Sequence, residues 1–316
     1  MSKKDMKLID FIKDFSDEQQ CKLKFRELRE SAGIVCRNCE NTRHYWINST
    51  SQYKCSKCGS RQSLRSGTML EYSKLPYQYW FIAMHLLTST KKGFSANEIQ
   101  RQIGHKRYEP IWAMLHKIRS VMGQRDMKYT LESLVEADEA FFEIAYPANA
   151  PTKAGRGSEA KQTVLVMAST REIEPEKWKK GRPRTGCGYV KMHTIEDLKT
   201  KTIESKLHQH VGKLSRLITD GADAYNMTIA DYLEHIVVEG TPAEQCEQLP
   251  WVHISIANAK RKLLDIHHCV SSKYIQKYLD EFCYKLNRRQ MKRDPMVNLL
   301  KHAVNYGVKG SLPSCG

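Results

Sequence analysis

The spacing of apolar residues changes once along the chain, from helical before residue 131 to strand-like alternation after it. Cys21, Phe25 and Leu28 recur at helical intervals with charges between them, and Ser16 or Asp17 can cap the helix they predict. Ser66-Gly67-Thr68 marks a turn, and the apolar run from Tyr77 to Leu87 reads as a buried helix. Ser95 with Glu98 three residues on is a capping-box pattern; it opens a helix that turns Ile99 and Ile103 inward and stops at Gly104. A third helix, from about Tyr108 to Met122, puts Trp112, Leu115 and Ile118 on one stripe and leaves Lys106, Arg107, Lys117 and Arg119 off it. Beyond residue 131 strands are predicted at Leu134–Phe142, Gln162–Ala168, Gly188–Ile195, Leu214–Thr219 and His235–Glu239. Helices are predicted at Thr202–Val211, Ala224–Leu233, Ile256–Leu264 and Ser272–Asn287. Strands alternating with helices argue an α/β domain.

Length and composition narrow the class. At 316 residues the chain has room for two or three domains, and 41% hydrophobic with 27% charged residues is globular composition. The longest apolar stretch, Trp80 to Leu87, is far short of the roughly 20 residues a spanning helix needs, and the first residues lead into no signal-peptide core. The expectation is a cytoplasmic protein, associated with the nucleoid and not with a membrane. The net charge is +16, and residues 31–123 alone hold 14 Lys/Arg against four Asp/Glu. Such a block releases counterions on meeting a polyanion, which makes nucleic acid the leading partner; a merely soluble basic surface is the alternative.

Cys36-x-x-Cys39 and Cys55-x-x-Cys58, with 15 residues between the pairs, have the spacing of a zinc ribbon: four thiolates around one structural Zn²⁺, joined by a hairpin with strands near Arg43–Ile47 and Gln52–Lys54. Disulfides are the weaker reading in a cytosolic chain. Cys21, Cys187, Cys246, Cys269, Cys283 and Cys315 show no ligand spacing. After the ribbon, helix, Gly104 turn and basic helix outline a helix-turn-helix, with Lys106, Arg107, Lys117 and Arg119 expected at phosphates or guanine edges. Many three-helix domains share that outline without touching DNA. The stretch Gly181-Arg182-Pro183-Arg184 is similar to a minor-groove hook, though a hairpin loop explains it as well.

Two carboxylates fall where strands could present them: Asp138 inside the first α/β strand and Asp220 closing the fourth before Gly221. Acids on neighbouring strands can share hard divalent cations, and a pair of Mg²⁺ ions suits in-line phosphoryl displacement; an acid at a strand end is also a common turn-former.

The segments Val135-Glu-Ala-Asp138-Glu-Ala-Phe-Phe142, Gly155-Arg-Gly-Ser-Glu-Ala-Lys161, Ile218-Thr-Asp220-Gly221, Trp251-Val-His253-Ile-Ser-Ile-Ala-Asn258-Ala-Lys260 and Tyr278 to Arg289 resemble, in order and spacing, bacterial insertion-sequence transposases of the zinc-ribbon DDE group. The resemblance runs nearly end to end. It implies a multidomain chain: a capping helix and zinc ribbon over 1–65, a helix-turn-helix over 66–130, and an α/β RNase H-like catalytic domain over 131–316. Asp138 matches the first acidic position and Asp220 the second. Alignment on Lys260 puts His253 at the third, 33 residues after Asp220, in place of the usual Glu; Asn258 is a second candidate. Lys260 would contact a phosphate beside the site, and the basic segment from Lys260 through Arg261 to Arg293, with 10 Lys/Arg against three Asp/Glu, could follow the DNA backbone.

The function implied is metal-dependent strand cleavage at element ends and transfer of the exposed 3′-hydroxyl to target DNA, using two Mg²⁺ or Mn²⁺. The partners are double-stranded DNA, as terminal inverted repeats and target, and a second copy in a dimer or larger assembly. The rivals are a DNA-binding regulator with an inert catalytic domain and a nuclease that cuts without joining.

Overall fold

The computed structural model describes residues 6–145, 158, 160–173, 176, 185–225, 232–267, 270–288 and 294–306. It divides into two units, residues 1–121 with 291–316 and residues 122–290.

The first unit holds α1 (Leu8–Asp14), α2 (Glu18–Ala32), a three-stranded antiparallel sheet of β1 (His44–Ile47), β2 (Gln52–Cys55) and β3 (Arg61–Ser63), then α3 (Tyr77–Ser89), α4 (Ala96–Ile103) and most of α5 (Tyr108–Asp126). The α2 cap is Asp17, whose side chain accepts from the Gln20 N–H, and its buried face is the predicted Cys21, Phe25 and Leu28. Phe25 meets Tyr77 of α3 at 5.5 Å between ring centroids. Glu18 ties the two helices at their starts by accepting the Tyr77 and Gln78 N–H groups, at 2.9 and 2.8 Å, which α3 would otherwise leave unpaired. Ser95 caps α4, and Gly104 ends it at φ +73°, a left-handed turn that glycine adopts without strain. The expected stripe on α5 is wider than its spacing implied: Ile111, Met114, Leu115, Ile118, Val121 and Met122 are all buried.

The chain then returns to this unit. Asp294 caps α10 (Pro295–Ala303), which turns Met296, Leu299, Leu300 and Ala303 inward against α2 and α3. The Met69 N–H donates to the Ala303 carbonyl at 2.9 Å. α10 is absent from the predicted helices although Met296, Leu299, Leu300 and Ala303 follow helical spacing, and residues 294–303 sit with the ribbon and helices, not with the 131–290 part of the segment expected to be one domain.

The second unit is built on a mixed five-stranded sheet in the order β6-β5-β4-β7-β8: β4 (Leu134–Glu143), β5 (Lys161–Glu172), β6 (Thr185–Thr194), β7 (Arg216–Asp220) and β8 (Glu234–Val238). β4–β5 and β5–β6 are antiparallel; β4–β7 and β7–β8 are parallel. Side-chain alternation on β4 sends Val135 and Ala137 to one face, packed with Leu165, Met167, Leu217 and, from α6 (Thr200–His210), Ile203 and Leu207. Ala140 and Phe142 go to the other, packed with Val164, Val166 and Val190, with Val252 and Ala259 of α8 (Pro250–His267), and with Ile275, Leu279 and Phe282 of α9 (Ser272–Asn287).

The edge strand β6 is covered by amide side chains of α9. Asn287 exchanges both hydrogen bonds with the Val190 backbone at 2.8 Å, and Gln276 accepts from Thr194 N–H and donates to the Met192 carbonyl. These bonds use strand groups that would otherwise template pairing with another chain.

Two predicted helices differ from the structure. The one expected at Ile256–Leu264 begins six residues earlier, at Pro250, after a short α7 (Pro242–Gln248) that is not among the predicted helices. Of the helix expected at Ala224–Leu233, the described start lies in a 3-10 turn, Asp223–Tyr225, and residues 226–231 lie outside the described residues. Also outside them are Gly181-Arg182-Pro183-Arg184, Cys269, Cys315, most of Gly155–Lys161 and 289–293.

Candidate active site and metal centre

In the first unit the four spaced cysteines converge. Their sulfurs all lie within 4.8 Å of one another, with Cys36–Cys58 and Cys39–Cys55 at 3.6 Å. A tetrahedron with metal–sulfur bonds of about 2.3 Å has edges of about 3.8 Å, so the donor set fits one Zn²⁺. The strands supply the spacing: β1 and β2 pair His44 with Cys55, and the Cys36–Asn41 and Cys55–Ser60 turns each close with backbone hydrogen bonds of 2.9 Å. Backbone N–H groups point at the sulfurs. The Cys58 N–H pulls the Cys55 thiol down to about 5, joined by the Asn41 amide and the Lys57 N–H, against the opposing effect of burial; the Ser60 N–H lowers Cys58 in the same way. Both favour the thiolate that a metal requires, whereas Cys39 is pushed up to about 12, against the Asn41 N–H, by burial and by the neighbouring cysteine sulfurs that share its proton.

In the second unit, the parallel register pairs Glu136 of β4 with Ile218 of β7. Two residues further along each strand come Asp138 and Asp220, and strand alternation puts both on the face that carries Glu136, the side of α8. The Asp138 Oδ1 accepts the Glu139 N–H at 2.8 Å, and the Asp220 Oδ1 accepts the Ala222 N–H at 3.3 Å, so both carboxylates are oriented by their own backbone. His253, in the first turn of α8, brings Nδ1 to 3.8 Å from the Asp138 Oδ2, while its Nε2 is buried with no hydrogen-bond partner.

Three donor groups are therefore in one region of the unit: two hard carboxylates and an imidazole whose Nδ1 is turned toward one of them. That set fits Mg²⁺ or Mn²⁺. Among the described residues only the cysteines bring three ligand atoms within 4.8 Å, so the Asp138, Asp220 and His253 donors are spread more widely.

The remaining expected residues are placed differently. Asn258 is exposed, and its Oδ1 faces the Arg261 guanidinium at 3.5 Å. Lys260 is exposed seven residues after His253, about 10 Å further along α8, with its Nζ 5.7 Å from the Phe142 ring. Lys106 and Arg107 are exposed before α5. Lys117 is half-buried and donates to the Glu71 carbonyl at 2.6 Å. Arg119, expected on the DNA-facing side of α5, is 1% exposed; α5 is buried nearly all round, so a position off the predicted stripe is still inside.

Two glutamates and a tyrosine belong to the site's frame without having been singled out. Glu136, 2% exposed, accepts the Trp251 and Val252 N–H groups on Oε2 at 2.7 and 2.9 Å, and so caps the start of α8 from β4. Burial pushes its carboxyl up to about 7 against these two hydrogen bonds. Glu139 points to the opposite face, where the buried Tyr225 hydroxyl donates to it. Burial first, then the like charges of Asp138 and Asp220, push it up to about 7 as well, against the Tyr225 hydrogen bond. The signal for Glu136 was its even alternation with Asp138: an acid at an inward strand position needs donors, and a helix start provides them.

Residues 16–61 match the transposase zinc-ribbon domain, and residues 130–287 match the ISXO2-like transposase domain. No protein with a curated description is similar enough to match. Solved structures are only distantly alike. The pre-cleavage Mos1 transpososome is 13% identical, with 77% of this chain and 82% of that one covered and a TM-score of 0.28. The Mos1 mariner paired end complex with Mn is also 13% identical, with 76% and 82% covered and a TM-score of 0.29. The piggyBac transposase synaptic complex with hairpin DNA is 8% identical, with 97% and 82% covered and a TM-score of 0.35. The family match spans half the chain, includes Asp138, Asp220 and His253, and follows a ribbon match of its own: the chain belongs to the ISXO2-like transposases, with an N-terminal transposase zinc ribbon.

Proposed function

We propose that the chain is a DNA transposase that binds the ends of its element, cuts a strand at each, and joins the exposed 3′-hydroxyl to target DNA. The observation that carries this reading is the meeting of Asp138 and Asp220 on adjacent parallel strands with His253 beside them, inside the family-matched region. The three-strand antiparallel run continued by two parallel strands supports an RNase H-like domain over 131–288.

Asp138, Asp220 and His253 are the residues that would hold two Mg²⁺ or Mn²⁺, which supply a Lewis acid at the phosphate and an activated water or hydroxyl. The protein's part is to fix the donors. Glu139 N–H and Ala222 N–H hold the two carboxylates, and Glu136 holds the helix start that carries His253. A neutral imidazole in the third position leaves two negative charges to face the ions, so metal affinity is lower than in a three-carboxylate site. His253 is favoured over Asn258, whose amide faces solvent and Arg261. Lys260, two helical turns on, is placed for a phosphate flanking the scissile one, with Arg261 beside it. No covalent protein intermediate is needed, so no nucleophilic side chain is assigned.

The zinc ribbon and the α4–turn–α5 segment, read as a helix-turn-helix over 66–130, would bind the element ends, with exposed Lys106 and Arg107 at phosphates. Joining two ends requires at least two copies on DNA. No described helix is long and apolar enough to cross a membrane.

The test is a strand-transfer assay with Mg²⁺ or Mn²⁺ on duplexes carrying the inverted repeats that flank the gene. Asp138→Ala and Asp220→Ala are each expected to lower cutting at least about 1,000-fold with binding retained, the scale expected when a catalytic metal is displaced. Binding without cutting by the wild-type chain would make it a regulator; full activity in both variants would remove the two aspartates from the chemistry.

A further inference from the structure

We propose that the Tyr72 ring is a DNA contact: it lies against the sugar and base edges of a duplex whose phosphates follow the basic groove beside it. The inference rests on the DNA-binding part of the function above and extends its surface from Arg107 to an aromatic contact outside the basic helix.

Tyr72 is 86% exposed, yet its backbone has φ +60°. That left-handed conformation suits glycine, and a bulky residue holds it only at a cost in stability. The surrounding turn enforces it. Leu70 is fully buried, and the Glu71 carboxylate is gripped by the Arg37 guanidinium at 2.6 Å and by the Gly67 N–H at 3.2 Å. The Glu71 carbonyl accepts from Lys117 at 2.6 Å, and the Ser73 carbonyl from Arg65 at 2.5 Å. Both neighbours are anchored, so the ring is held outward, with its hydroxyl near Arg37. A large aromatic kept in water and in a costly backbone has no packing purpose.

The groove at its side, about 530 Å³, is lined by Lys74, His105, Arg107 and Lys117 and by no acidic residue. Lys74 and Arg107 are exposed. Exposed cations around a groove beside an exposed ring are complementary to a polyanion with an aromatic interior: the Lys74 amine and Arg107 guanidinium meet phosphates, and the ring meets sugar and base. An acidic protein surface would satisfy the cations but leave the ring without a partner.

The experiment uses the zinc-loaded full chain and a labelled random-sequence duplex between roughly 50 and 200 mM salt. Tyr72→Gly is expected to keep or raise the thermal midpoint, because glycine relaxes the left-handed turn, while weakening DNA binding roughly 10- to 100-fold. Tyr72→Phe keeps the affinity. The slope of log K against log salt stays the same in Tyr72→Gly and falls by about one in Lys74→Gln and in Arg107→Gln. If the wild-type chain binds no duplex, the DNA-binding reading fails and takes this one with it. If it binds and Tyr72→Gly binds equally well, or if polyglutamate competes as strongly as DNA, this inference alone is overturned.

Discussion

Replacing Glu136 by alanine and by glutamine separates two properties of one buried carboxylate: the hydrogen bonds it accepts and the charge it carries. Both α8 N–H groups use the same oxygen, Oε2, so a glutamine can place its amide oxygen there and keep them. Alanine cannot, and it orphans two N–H groups at a buried helix start. At roughly 1–3 kcal/mol per unsatisfied group and up to about 1 kcal/mol for the lost helix-dipole interaction, Glu136→Ala should destabilise the second unit by about 3–6 kcal/mol. Glutamine's effect depends on pH. Burial raises the Glu136 carboxyl to about 7 from an ordinary 4.5. Between those values the folded chain retains a proton that the unfolded chain has released, so this group's contribution to stability falls as pH rises through the window, by roughly 3 kcal/mol in all. Glutamine titrates nowhere in that range. Wild type and Glu136→Gln should therefore be close at pH 4.5, and the glutamine variant should gain on wild type by up to about 3 kcal/mol by pH 8, less whatever the stronger charged hydrogen bonds contribute. Urea denaturation at both pH values, followed by far-UV circular dichroism, measures the difference. Glu136→Gln as unstable as Glu136→Ala at pH 8, or a wild-type-to-glutamine gap independent of pH, would refute the reasoning. Because His253 lies one residue past these N–H groups, strand cutting should fall in the alanine variant and survive in the glutamine one.

Other expectations follow from the same geometry. Asn287→Ala removes the amide that covers the β6 edge and also donates to the buried Asp126 and to Tyr129, at 3.2 and 3.1 Å. It should cost about 2–4 kcal/mol in chemical denaturation, and an unchanged midpoint would show that water replaces the amide. Purified protein should carry one zinc per chain by atomic emission, falling sharply in Cys55→Ser with loss of the Trp46 and Tyr53 fluorescence signature, since those rings pack across the β1–β2 hairpin at 4.7 Å. Full zinc content in Cys55→Ser would remove that sulfur from the metal site.

The parts of this molecule that were legible in the sequence are those whose cause is local. Two Cys-x-x-Cys pairs 15 residues apart dictate a ribbon because the knuckles and hairpin are short-range geometry. Ser95 and Gly104 bracket α4 because a cap and a left-handed stop act within a turn. What was missed is set at a distance. The start of α8 is made by a carboxylate 115 residues earlier, so Pro250-Trp251-Val252 carries no cap of its own and the periodicity begins only later. Arg119 reads as surface because helical spacing counts neighbours along one helix, whereas its burial comes from elements packed around α5. Asp138 and Asp220 could be named as acids at strand positions, but nothing in the linear order makes their strands neighbours; the β4–β7 pairing does that.

The return of α10 to the first unit bears on how the gene product tolerates truncation. A stop codon falling shortly before Asp294 would leave every residue of the mixed sheet intact and still strip Met296, Leu299 and Leu300 from the flank of α2 and α3. The damage would land on the end of the polypeptide made first by the ribosome, whose core is completed only when the last stretch is synthesised. Premature termination there would release a chain with its cysteine-rich half unfinished, and a recombinant fragment ending at residue 121 would need residues 294–306 supplied as well.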